Sequence, residues 1–125
     1  MRDERFIAEH RGGKLSKERQ RMLAAWAADC AEHVLPLFSK LQPEDDRPKK
    51  AVEVGRAWSR GEGTVGDARN ASVAAHAAAR SAQDEAGCAA ARAAGHAVAT
   101  AHMADHSLGA CVYALKAVKL SGGEE

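Results

Sequence analysis

The sequence predicts an all-α fold, a compact bundle of four to five alanine-rich helices, and three observations carry that prediction. Apolar residues recur at intervals of three and four through most of the chain. The hydrophobic share of 46% is carried mainly by alanine, the residue that loses least entropy on entering a helix. No stretch alternates apolar and polar residues as a half-buried strand would, and no tandem repeat is long enough for a solenoid. Small side chains also let helix axes approach toward the short end of the roughly 8–10 Å packing range. Each alanine removes little area from water, so the isolated core is expected to be thin, which favours a homo-oligomer or a stable partner.

A chain of 125 residues fits one domain. Residues 1–14, ending in Arg11-Gly12-Gly13-Lys14, read as a flexible arm, 15–120 as a single helical domain, and 121–125 as a disordered tail. Ser16 caps a first helix, with Glu18 near its positive end. Met22, Leu23, Trp26, Cys30, Val34, Leu37 and Leu41 then form a stripe at helical spacing. These bulky groups are expected to be the knob around which the alanine-rich helices pack. Pro36 divides the stripe, because it lacks an N–H and clashes with the preceding turn.

A polar linker with Pro43 and Pro48 follows. Asp46 is expected to cap the next helix by bonding toward the Lys49 N–H, with Pro48 tolerated in the first turn. That helix should bury Ala51, Val52, Gly55 and Trp58 and stop at Gly61 and Gly63. Thr64 with Asp67 resembles a capping box and opens a third helix. Asp84 caps a fourth that runs through the alanines to Met103, then continues or breaks near Asp105–Ser107 before a last apolar helix.

Lys plus Arg at 18 against Asp plus Glu at 17 leaves a formal charge of +1, without the clustered basic excess of a nucleic-acid binder. With aromatics at 4%, stacking platforms for single strands are not expected either. The charged N-terminus reads as neither signal peptide nor anchor, and no apolar run reaches the roughly 18 residues of a membrane span. Cys30, Cys88 and Cys111 are an odd number at unrelated spacings, so free thiols in a reducing cytoplasm are expected.

The stretch Gly95–His106 holds three of the six histidines. On one straight helix, His102 and His106 would lie about 40° apart, while His96 would sit roughly 120° from His102 and about 9 Å away along the axis. Three ligands for one ion cannot come from that arrangement. His102-Met103-Ala104-Asp105-His106 matches the order of inverted zinc-peptidase motifs, with Asp where Glu is usual. A third ligand and an open water position are missing from it. The preferred reading is a helix–helix seam. Cys88, Ala91, Gly95, Val98 and His102 form one row, and Arg92, His96, Ala99, Met103 and His106 form the next, with each buried imidazole satisfied by a facing group. The rival reading is a metal or small-ligand site built from His76, His96, His102 and His106 on different helices. No catalytic residue, metal or cofactor is assigned.

Cys30 and His33 give half of a zinc-ligand spacing with no second half, and Cys88 lacks the basic surroundings of a reactive thiolate apart from Arg92. No G-x-S-x-G, phosphate-loop or dinucleotide fingerprint is present. Asp45, Asp46 and Arg47 are a candidate recognition patch, although helix capping accounts for Asp46 as well.

Three stretches go further together: Asp45–Glu62 (DDRPKKAVEVGRAWSRGE), Ala75–Arg80 (AHAAAR) and Ala90–Val118, which contains G-H-A-x-x-x-x-H-x-x-x-H followed by a Tyr113-containing helix. In these features, from about Leu23 to Lys119, the chain resembles a bacterial family of immunity proteins, the Imm-5-like domain. The chain departs from the family pattern at Cys111 and Val112, beside Tyr113. The resemblance implies a small helical cytoplasmic protein that neutralises a cognate toxin of a toxin system by binding it. It supplies no catalytic residues. Asp45, Asp46, Arg47, Trp58 and Tyr113 are the structural or interface candidates it brings forward.

Overall fold

The computed structural model describes residues 4–8, 13 and 15–122. Within them the chain forms α1 (Lys17–Val34), the single turn α2 (Pro36–Ser39), α3 (Arg47–Ser59), α4 (Val65–Arg80), α5 (Glu85–Ala99) and α6 (His106–Leu120). The fold is all-α, five long helices and one short one. Of the expected arm, residues 1–3, 9–12 and 14 lie outside the described residues. Glu4–Phe6 make a 3-10 turn, and Ala8 bridges to Leu15, both buried. Of the expected tail, residues 123–125 lie outside the described residues.

Most boundaries have the local chemistry expected of them. Ser16 accepts from the Arg19 N–H, Thr64 from the Asp67 N–H at 3.0 Å, and Asp84 from the Gly87 N–H at 2.7 Å. Pro36 ends α1 and takes the first position of α2, where its missing donor costs nothing. Gly61 and Gly63 follow α3 with φ of 85° and 79°, a left-handed conformation that a Cβ would strain. Asp46 differs from the expectation. It holds the N-cap position of α3, but its side chain makes no capping bond and instead faces Lys50 at 3.6 Å. Its neighbour Asp45 takes the first-turn N–H instead, accepting from Arg47 at 3.2 Å.

The core also corrects the reading of α1. Met22 is 65% and Trp26 41% exposed, and Leu41 is exposed as well, so the bulky stripe is not the knob of the bundle. The buried face of α1 is Gln20, Ala24, Ala27, Ala28, Ala31 and Val34. Alanine wins that face because it brings the backbones closer, and closeness gathers more dispersion contacts than one large side chain per turn. At the centre is α5, which packs against α1, α2, α3, α4 and α6. Eleven of its fifteen residues are buried, nearly all Ala or Gly. The helix α3 meets it as expected, with Ala51, Val52, Gly55 and Trp58 all buried.

The second correction concerns the end of α5. Instead of running on toward Asp105, the helix stops at Ala99, and residues 100–105 turn the chain back before α6. The side-chain amide of Gln20, 2% exposed on α1, donates to the carbonyls of Thr100 at 3.0 Å and Ala101 at 3.2 Å. Those acceptors have left the helical ladder, and a buried carbonyl needs a donor. The break is thus held by a residue eighty positions away.

Candidate functional site

Because the helix breaks, the histidines are not where a straight rod would put them. His106, the first residue of α6, folds back onto His96 of α5, and their Nδ1 atoms stand 3.0 Å apart. His76 of α4 meets the His96 ring edge-on at 5.2 Å between centroids. His102, in the break, lies 5.5 Å from the His106 ring. Tyr113, two turns along α6, stacks on His96 at 5.1 Å and 14°. The four imidazoles proposed from different helices therefore do share one neighbourhood, whereas the two straight rows along Cys88–His106 do not persist past Ala99.

Glycines make room for these rings. A Cβ on Gly95 would stand 2.6 Å from His76 Nε2, and one on Gly109 would stand 2.7 Å from His96 Nδ1. Ser72, one turn before His76 on α4, bonds the Gly95 carbonyl at 2.9 Å. Gly95 is thus the point at which α4 and α5 touch, with a hydroxyl and an imidazole resting on its bare backbone.

The electrostatics disfavour a charge on two of these rings, His96 and His76. Burial is the main cause that pushes the His96 imidazole down to about 4, reinforced by His106, His76 and Arg92. Burial also lowers His76, followed by Arg92, His106 and Arg80. At the Nδ1–Nδ1 contact one ring must donate an N–H to the lone pair of the other. Among the described residues, His76 Nδ1 is buried without a hydrogen-bond partner. A base held near 4 is poorly matched to proton transfer at neutral pH, where efficiency asks for a pKa near the working pH. Among the described residues, no three His, Cys, Asp or Glu side chains converge as ligands for one metal ion. The thiol of Cys30 is pushed up by burial and by the neighbouring Cys111, which leaves it a weak nucleophile.

Beside Tyr113 a small cleft of about 170 Å³ is lined by Glu85, Cys88, Arg92 and Lys116. The Lys116 ammonium lies 5.9 Å from the Tyr113 ring centre, a cation–π contact at the rim of the cluster. Sequence reasoning missed Lys116, although its i, i+3 spacing from Tyr113 within one helix could have pointed to it.

The other candidates divide between core and surface. Trp58 is only 6% exposed and belongs to the core. Asp45 and Arg47 close on each other, with Arg47 Nε donating to Oδ1 at 2.9 Å and Nη2 to Oδ2 at 2.7 Å. The guanidinium holds the Asp45 carboxyl below its ordinary range, and the carboxylate raises Arg47 in turn. Arg47 also reaches the Ser81 hydroxyl, while Gln42 donates to the Ser81 carbonyl and accepts from the Gln83 N–H. This polar stitching ties the linker to the α4–α5 loop, and the charges of Asp45 and Arg47 are spent on each other. Asp46 is exposed.

Fold and site together define a class: an all-α bundle built on small side chains around a histidine seam. The sequence model of the family described as "Imm-5 like putative immunity protein" matches residues 13–125, and the chain belongs to that family. No curated protein and no solved structure matches the chain. Among the described residues, no helix is long and apolar enough to cross a membrane.

Proposed function

We propose that this protein is an immunity protein that acts without catalysis, neutralising a cognate protein toxin in the cytoplasm by stoichiometric contact. The observation that carries this reading is the family match, which spans nearly the whole chain. The site chemistry agrees with it. The histidine cluster holds His96 and His76 away from their charged forms and sets His96 against His106. Binding is what remains for such a molecule to do, and a standard protein complex buries about 1,200–2,000 Å² in total.

The test is direct. The toxin encoded beside the gene is expressed with and without this protein, and the purified pair is mixed. Protection of the cell together with a one-to-one complex is the expected outcome. Substoichiometric protection, in which each molecule disarms many toxin molecules, would mean turnover and would overturn the non-catalytic reading. Loss of protection without any complex would remove the toxin itself as the partner.

A further inference from the structure

Two of the three cysteines meet across one seam. Cys30 lies on α1 and Cys111 on α6, both free thiols and both half-buried. The Cys111 thiol is a hydrogen-bonding neighbour of the Cys30 thiol. The register of the two helices agrees with that meeting. Gln20, near the start of α1, bonds the carbonyls of Thr100 and Ala101 just before α6. Cys30 stands ten residues beyond Gln20, and Cys111 ten beyond Ala101. The buried neighbours of the pair are small, Ala27 and Ala31 on α1 and Ala110 and Ala114 on α6. Helices that pack through alanine approach toward about 8 Å, which brings facing Cα atoms into the roughly 4.4–6.8 Å that a disulfide spans.

We propose that Cys30 and Cys111 form a redox modification site, where a small-molecule disulfide converts the two thiols into a covalent staple between α1 and α6. The Cys111 thiolate attacks one sulfur of the external disulfide, forming a mixed disulfide and expelling one small thiolate. The Cys30 sulfur then gives its proton to water and attacks the Cys111 sulfur, and the second small thiolate leaves. The two cysteines have lost two electrons and two protons, and the external disulfide has become two thiols. Burial holds the Cys30 thiol protonated, so the first attack falls to Cys111, and contact between the sulfurs makes Cys30 effective in the second. The staple joins elements that already touch, so it leaves the packing as it is. It closes a loop containing α2, α3, α4 and α5, and the unfolded chain loses freedom accordingly. A bundle with a core of small side chains is thus strengthened when its surroundings turn oxidising, and reduction reverses the change. The proposal stands apart from the toxin reading.

Excess oxidised glutathione, added to the dilute folded full chain, tests it. After trypsin, peptide 22–40 should be joined to peptide 93–116. That cross-link should exceed either pairing with the Cys88 peptide, 81–92, by at least about tenfold, since contact sets a high effective concentration. The urea midpoint of the oxidised chain should rise by about 1 M and fall back on reduction with dithiothreitol. Cys30→Ala and Cys111→Ala should each abolish the rise, and Cys88→Ala should leave it, alanine being suited to all three helices. Chains joined to one another, a dominant pairing through Cys88, or glutathione held on Cys111 without a cross-link would each overturn the proposal. A cross-linked chain with an unchanged midpoint would overturn it as well.

Discussion

His96 shows how one side chain comes to depend on its surroundings. Its ring lies between the Tyr113 face and the His76 edge and shares a nitrogen contact with His106. An imidazolium there would lose water and face His106, His76 and Arg92. The native state therefore holds this imidazole neutral down to about 4, while the unfolded chain takes up the proton near its ordinary 6.5. Between those values the unfolded state binds more protons, so stability is full above 6.5 and falls as the pH drops toward 4. His76, lowered by the same burial, adds to the slope in the same direction. For one histidine the slope cannot exceed about 1.4 kcal/mol per pH unit, and the partial exposure of the ring keeps it below that ceiling. Urea unfolding should thus give a lower midpoint at about pH 5 than at about pH 7.5, and His96→Phe, which keeps a ring for Tyr113 but cannot titrate, should flatten the difference. Identical midpoints in the parent protein would show that the cluster accepts protons freely.

The elements α5 and α6 owe their separation to Gln20. Its amide supplies two donors to two buried carbonyls in the break. Gln20→Leu keeps the volume but leaves both acceptors bare, at a cost of about 2–3 kcal/mol. Gln20→Glu should cost more, because a carboxylate there points acceptor at acceptor and carries a buried charge. Thermal unfolding of the two variants gives the order, and a Glu variant as stable as the parent would mean that water, not Gln20, serves those carbonyls. This bond also marks the limit of what the sequence discloses. Helix starts at Ser16, Thr64 and Asp84 and stops at Pro36, Gly61 and Gly63 were legible, because each depends on a neighbour within a few residues. The break at Thr100 was not legible, since the donor that stabilises it lies on another helix. The meeting of His96 with His106 was hidden for the same reason, since it needs the chain to turn back after Ala99. The buried face of α1 was misread because size was taken as the sign of burial, while this bundle selects for smallness.

That selection acts on the whole molecule. In most cores a large side chain is the valuable one and its truncation is what hurts. Here the central helix α5 offers Ala90, Ala91, Ala93 and Ala94 with no exposed surface, and five other helices set their distance by those methyl groups. An interior already at crystal-like density cannot take three more carbons without moving an axis, and moving α5 disturbs every neighbour together. Ala90→Leu should therefore destabilise the protein by about 3 kcal/mol, the upper end for overpacking, despite a similar helix propensity and added apolar area. Met22→Ala, which deletes a large apolar group from an exposed position, should change the stability of a single chain by no more than about 0.5 kcal/mol. Gly55 supplies an internal control. A Cβ there would sit 3.5 Å from Val98 Cα, an ordinary contact, so Gly55→Ala should be neutral or gain about 0.5 kcal/mol from its unfolded state. Urea unfolding of the three variants, at a concentration low enough to keep chains apart, decides the matter. If Ala90→Leu proves as stable as the parent, the helices are not in mutual contact along α5, and close approach of backbones is not what holds this bundle together.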